Sequence, residues 1–66
     1  MDFNGQKIRE LRQKGGLTQE ALAQKLGSNM RKQHIYAYEK GLCAPRALTV
    51  AKMAEVFKVE SRVFFT

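Results

Sequence analysis

Apolar residues recur along this chain at the three- and four-residue spacings of amphipathic helices, in separate bouts divided by glycines and polar turns. Ile8 and Leu11 share one face of a segment from about Asn4 to Gln13, with Asn4 or Asp2 placed to cap it and Gly15 and Gly16 to end it. Leu17 then turns toward the core ahead of Thr18, whose hydroxyl can accept from the unpaired first-turn amides of a second helix. Leu22, Ala23 and Leu26 give that helix its apolar face, and Gly27 follows where a left-handed residue meets no steric cost. Ile35 and Tyr38 share the inner face of a third helix, which Gly41 stops. At about 100° per residue, the direction opposite that inner face is taken by Gln33, Tyr36, Ala37 and Lys40. Past a loop at 42–44, Pro45 suits the first turn of a fourth helix, where a missing N–H costs nothing. Val50, Met53, Ala54 and Phe57 form the strongest helical pattern in the chain. Val59 continues the core, and Val63, Phe64 and Phe65 close it in a short helix from about Glu60. The pattern predicts an all-α fold of five helices forming one domain over residues 1–66, with two short helices joined by a turn at about 18–40.

The chain carries 12 Lys and Arg against 6 Asp and Glu, a net +6, and the excess is uneven. Nine basic residues against three acids fall between Lys7 and Arg46, whereas Lys52, Lys58 and Arg62 nearly balance Glu55 and Glu60 beyond it. The basic half coincides with the two-helix unit and its flanks, so a polyanion is the natural partner; the alternative is a basic surface that merely aids solubility. The outward face of the third helix offers donors, acceptors, one ring and one small gap, which suits base edges and phosphates. Arg12 lies one turn after Ile8 and starts on the inward side of its helix, where an unpaired charge is costly. Glu39, one residue past Tyr38, is the candidate partner; the alternative is two independent surface charges.

At 66 residues the chain buries only about 60% of its unfolded surface, which is marginal for a domain standing alone. The N-terminus has no apolar run suited to a signal peptide, and no stretch approaches the roughly 20 apolar residues of a membrane span. A single cysteine, Cys43, forms no staple, so a reducing cytoplasm is the expected location. No nucleophile sits with a base and an orienting acid, and no Gly-rich phosphate loop is present, so no enzyme is expected. One histidine and one cysteine make no metal site, and no cofactor or small-molecule ligand is expected. Two phenylalanines so near the end of a small chain are hard to bury together. One of Phe64 and Phe65 is expected on the core and the other left for a second subunit, as in a homodimer.

Several separated blocks now stand in order. They are Ile8 to Arg12, Gly16 to Glu20, Leu22–Ala23, Lys25 to Gly27, Ile35, Tyr38 to Gly41 and Pro45. Together they resemble the phage repressor/Cro-type (XRE family) helix-turn-helix domain over nearly the whole chain. The resemblance implies a third helix that enters the major groove of a double-stranded DNA operator, often as a dimer on a two-fold site. It implies phosphate contacts from Thr18 and Gln19 at the start of the second helix, with Gln19 also steadying the third. It places Lys32, Gln33, Tyr36 and Ala37 where family members read bases, and Lys40 and Arg46 where they grip the backbone. Arg12 and Glu39 match a structural ion pair of the family.

Three departures matter. The turn after Gly27 is two residues longer than usual, with Met30 at the family's apolar turn position and Arg31 where a serine cap is common. Either Ser28 or Asn29 caps a helix begun a turn early, or Arg31 lies on the groove rim with its guanidinium on a phosphate; the second is preferred. Ala37 is small where a long polar residue is common, and either touches a thymine methyl or makes room. Lys58 replaces the glycine that usually ends the fourth helix, a source of strain at that corner. His34 is open to a phosphate contact or to simple solvation. Tyr36 is open to stacking on sugar or base, or to lying over neighbouring side chains. Tyr38 is expected in the core with its hydroxyl on a polar partner. The reading is a sequence-specific regulator of transcription, a repressor or controller. The rival is the same fold acting as a protein-interaction module, antitoxin-like or bridging.

Overall fold

The computed structural model describes residues 2–65. The five expected helical segments are present: α1 (Gly5–Lys14), α2 (Gln19–Leu26), α3 (Lys32–Glu39), α4 (Ala47–Phe57), and a closing segment, Ser61–Phe64, wound as a 3-10 turn and not as an α-helix. Among the described residues no helix is long and apolar enough to cross a membrane.

Helix starts follow their caps. Asn4 accepts from the Gln6 N–H at 3.1 Å, so Asn4 and not Asp2 opens α1. Thr18 Oγ1 accepts from the Ala21 N–H at 3.0 Å and opens α2. The fourth helix starts later than Pro45 suggests, with Arg46 at the cap position. Three helices end alike, each with a left-handed residue after the last turn. In α1 the Leu17 N–H reaches the Arg12 carbonyl and Gly16 is left-handed; in α3 the Leu42 N–H reaches Ala37 and Gly41 is left-handed. In α4 the Val59 N–H reaches Ala54 in the same way, but the left-handed residue is Lys58, at φ 57°, ψ 46°. Lys58 therefore carries the strain that its side chain implied.

The inward faces meet in one cluster of Ile8, Leu22, Ala23, Leu26, Ile35, Tyr38, Val50, Met53, Ala54 and Phe64. Five of these (Phe64, Ile8, Leu22, Ile35 and Met53) are fully buried, and each contributes about 1.5–3 kcal/mol of apolar burial. Of Phe64 and Phe65, Phe64 is therefore the one that packs on the core, so the contact left open for a second subunit does not fall to it. Phe65 is half-buried, edge-on to Phe3 with ring centroids 5.7 Å apart. Phe3 and Phe65 form an antiparallel bridge, and the Asn4 N–H donates to the Phe64 carbonyl at 2.6 Å, so the two ends of the described chain lie side by side. Gly5 is buried where α1 starts, against the backbone at the end of α3; a Cβ there would overlap the Tyr38 carbonyl oxygen. That contact seats α1 on the C-terminal end of α3.

Candidate nucleic-acid interface

Helix α3 is fixed at its end by a polar junction of three elements. Arg12, from the last turn of α1, donates from Nε to Glu39 Oε2 at 2.7 Å and from Nη2 to Glu39 Oε1 at 3.2 Å. Its Nη1 donates to the Leu17 carbonyl at 2.9 Å, in the turn before α2. Gln19, the first residue of α2, donates from Nε2 to Glu39 Oε1 at 3.2 Å. The paired side chains are 12% and 5% exposed, so this ion pair is largely withdrawn from solvent, and no buried side-chain nitrogen or oxygen among the described residues lacks a partner. The expected link between the first and third helices is present, and Gln19 joins it. With Ile35 and Tyr38 held in the core on one side and Glu39 held at the end, α3 has one orientation open to it.

The opposite side of α3 faces solvent. Lys32, Gln33, Tyr36 and Lys40 are exposed and Ala37 is half-buried. Gln19, Lys32, Gln33 and Tyr36 line one cleft of about 290 Å³ between the start of α2 and the outward face of α3. The Lys40 ammonium stands 5.8 Å from the Tyr36 ring centroid, so in the free chain Tyr36 lies against a neighbouring side chain. Arg46 is exposed at the cap of α4 and is not part of that cleft. Thr18 is exposed and already accepts the Ala21 amide, which leaves its hydroxyl proton free to donate.

The long turn resolves as follows. The Met30 N–H returns to the Gly27 carbonyl at 3.2 Å, Ser28 and Asn29 are exposed, and half-buried Met30 packs against the core. Neither Ser28 nor Asn29 starts α3 a turn early; the helix begins at Lys32 with exposed Arg31 at its cap position. His34 is not simply solvated. Its Nδ1 accepts from the Arg31 N–H at 3.0 Å. The sequence carried a signal for this that the reading missed, because the third residue of a helix is where an acceptor reaches back to the cap amide.

Tyr38 is buried as expected, but its hydroxyl makes no hydrogen bond among the described residues. Burial pushes its pKa above the ordinary tyrosine value, the Cys43 thiol raises it further, and the nearby Arg46 guanidinium lowers it. Cys43 itself is an exposed free thiol in the loop after α3.

A protein family described as Helix-turn-helix matches residues 8–64. A solved structure of the P22 c2 repressor protein in complex with synthetic operator 9T, in the presence of Tl+, has a similar fold. Its TM-score is 0.85 at 17% sequence identity, covering 97% of this chain and 94% of that one. No curated protein matches the chain. The family match runs from Ile8 in α1 to the end of the closing turn, and the chain belongs to the helix-turn-helix family of the phage-repressor and Cro (XRE) type.

Proposed function

We propose that this chain is a sequence-specific, double-stranded DNA-binding regulator of transcription, a repressor or controller of a nearby promoter, acting without a cofactor in the cytoplasm. The observation that carries the reading is α3 itself. Its apolar side is held in the core and its end is locked through Glu39, while it turns Lys32, Gln33, Tyr36 and Lys40 outward beside Gln19. Binding to an operator by the similar-fold P22 c2 repressor supports it. In this reading α3 enters the major groove. Lys32, Gln33 and Tyr36 read base edges, each good contact contributing roughly 1–3 kcal/mol of discrimination, with Ala37 against a thymine methyl or leaving room. Thr18, Gln19, Arg31, Lys40 and Arg46 contact phosphates and set the register. A homodimer on a two-fold operator belongs to the proposal, with half-buried Phe65, and not Phe64, as the C-terminal contact.

The test is duplex binding as a function of salt, using sequences selected from a random pool. A steep linear fall of log affinity with log salt supports phosphate contacts, and a two-fold consensus supports the dimer. A flat salt response refutes the reading. It would favour a second one, a protein-interaction module, which draws on Leu42 and Leu48. These two stand 72% and 68% exposed around the loop after α3.

A further inference from the structure

Helix α3 starts without the side chain that ordinarily closes a helix. Arg31 stands at its cap position with extended backbone, φ −125° and ψ 160°, and a guanidinium has donors only. It cannot accept a first-turn amide as Asn4 does for α1 and Thr18 for α2. The opening turn is closed from the other direction. The Arg31 N–H donates to His34 Nδ1 at 3.0 Å, and the His34 N–H donates to the Arg31 carbonyl at 3.0 Å. His34 thus occupies the third helical position, where Glu or Gln serves in a capping box. It does so after the lengthened turn, where the entering chain has the most freedom to lose.

Accepting at Nδ1 also fixes the ring's chemistry. That nitrogen keeps its lone pair, so the proton of the neutral imidazole sits on Nε2. His34 is exposed, on the edge of α3 away from Lys32 and Gln19. We infer that His34 is a positioning residue that holds the start of α3, and that the same bond presents its Nε2–H as a directed donor to a DNA phosphate oxygen at the groove edge. The donor half rests on the major-groove reading given above; the positioning half does not.

The free chain tests the first half. Long-range proton–nitrogen NMR at alkaline pH should show the Nε2–H tautomer of the single histidine, and the Arg31 amide should exchange slowly. His34→Ala should speed that exchange and weaken binding to a selected duplex by about five- to tenfold, the usual scale of a lost helix cap. His34→Gln, which restores an acceptor at Nδ1's place and a neutral donor outward, should recover both. His34→Glu should restore amide protection but not affinity, because it replaces the donor with an anion facing phosphate. An Nδ1–H tautomer, or an Arg31 amide indifferent to His34→Ala, overturns the positioning role. Equal affinities for the Gln and Glu variants overturn the donor role. A wild-type chain that binds no duplex removes the major-groove reading and the donor role with it, while the NMR result still decides who caps α3.

Discussion

Replacing Glu39 with Gln changes one atom and removes one charge, at the point where three helices meet. The carboxylate accepts three hydrogen bonds, two from Arg12 and one from Gln19. An amide there accepts through one oxygen only, and its NH2 group faces a donor. Arg12, 12% exposed, keeps the Leu17 carbonyl but loses its counter-charge. Removing one partner of a buried pair costs about 3–5 kcal/mol. We expect the low end, about 3 kcal/mol, because the Arg12 guanidinium is near enough to solvent to swing out. A 66-residue domain has roughly 3–10 kcal/mol in total, so the variant should sit close to unfolding. Urea unfolding followed by far-ultraviolet circular dichroism measures the loss. Arg12→Met with Glu39→Leu removes both charges at similar volume and should lie within about 1 kcal/mol of the parent. A loss below about 1 kcal/mol for Glu39→Gln, the range of an exposed pair, refutes the claim that burial gives this junction its weight. So does a double variant as unstable as the single one.

Gly5→Ala drives a Cβ into the Tyr38 carbonyl oxygen and to 3.1 Å from that of Glu39, both backbone atoms unable to rotate away, and should destabilise by at least about 1–3 kcal/mol in the same unfolding assay. Lys58→Gly relieves the left-handed residue ending α4; a gain of about 1–2 kcal/mol less the extra freedom of glycine in the unfolded chain leaves roughly 0.5–1 kcal/mol, read as a rise of several degrees in Tm. Tyr38 has its folded pKa raised, so the stability from its neutral hydroxyl is complete below the ordinary tyrosine pKa and is lost as pH rises through the folded value. The parent's urea midpoint should therefore fall relative to that of Tyr38→Phe as pH rises through the alkaline range, and a constant difference between the two contradicts it. Gln33→Ala should relax preference at one base position while Arg46→Ala weakens all duplexes alike; uniform losses for both in competition binding would remove Gln33 from the reading role.

The helical spacing of Ile8, Leu22, Ile35 and Val50 carried most of the fold, because each inward face is complete within its own helix and needs no knowledge of its neighbours. The Arg12–Glu39 pair was legible for the same reason. A charge forced onto an inward face requires a partner, and Glu39 lay beside Tyr38. What escaped the sequence depended on contact between elements. The burial of Phe64 follows from Phe3 stacked over it at 6.1 Å and Phe57 tilted against it at 6.4 Å, and no spacing rule pairs opposite ends of a chain. The closing segment winds as a 3-10 turn over four residues, too short for periodicity to separate it from an α-helix. Pro45 pointed to a helix start, yet α4 opens after Arg46, a shift within the ordinary uncertainty of helix ends. The His34 cap escaped because the side chain that reaches back from the third helical position is ordinarily Glu or Gln, and an imidazole nitrogen takes that place here.

The bridge between Phe3 and Phe65 has a topological consequence. Cα atoms of residues paired across such a bridge lie only about 4.5–5.5 Å apart, so a linker of a few glycines would join the ends of the described chain without moving either. The exposed Ser28 and Asn29, which α2 and α3 hold between them, then offer a place to cut. A chain rearranged in this way would begin with α3 and finish with α2, keeping every core contact. The order in which the ribosome delivers these helices would be separated from the shape they make.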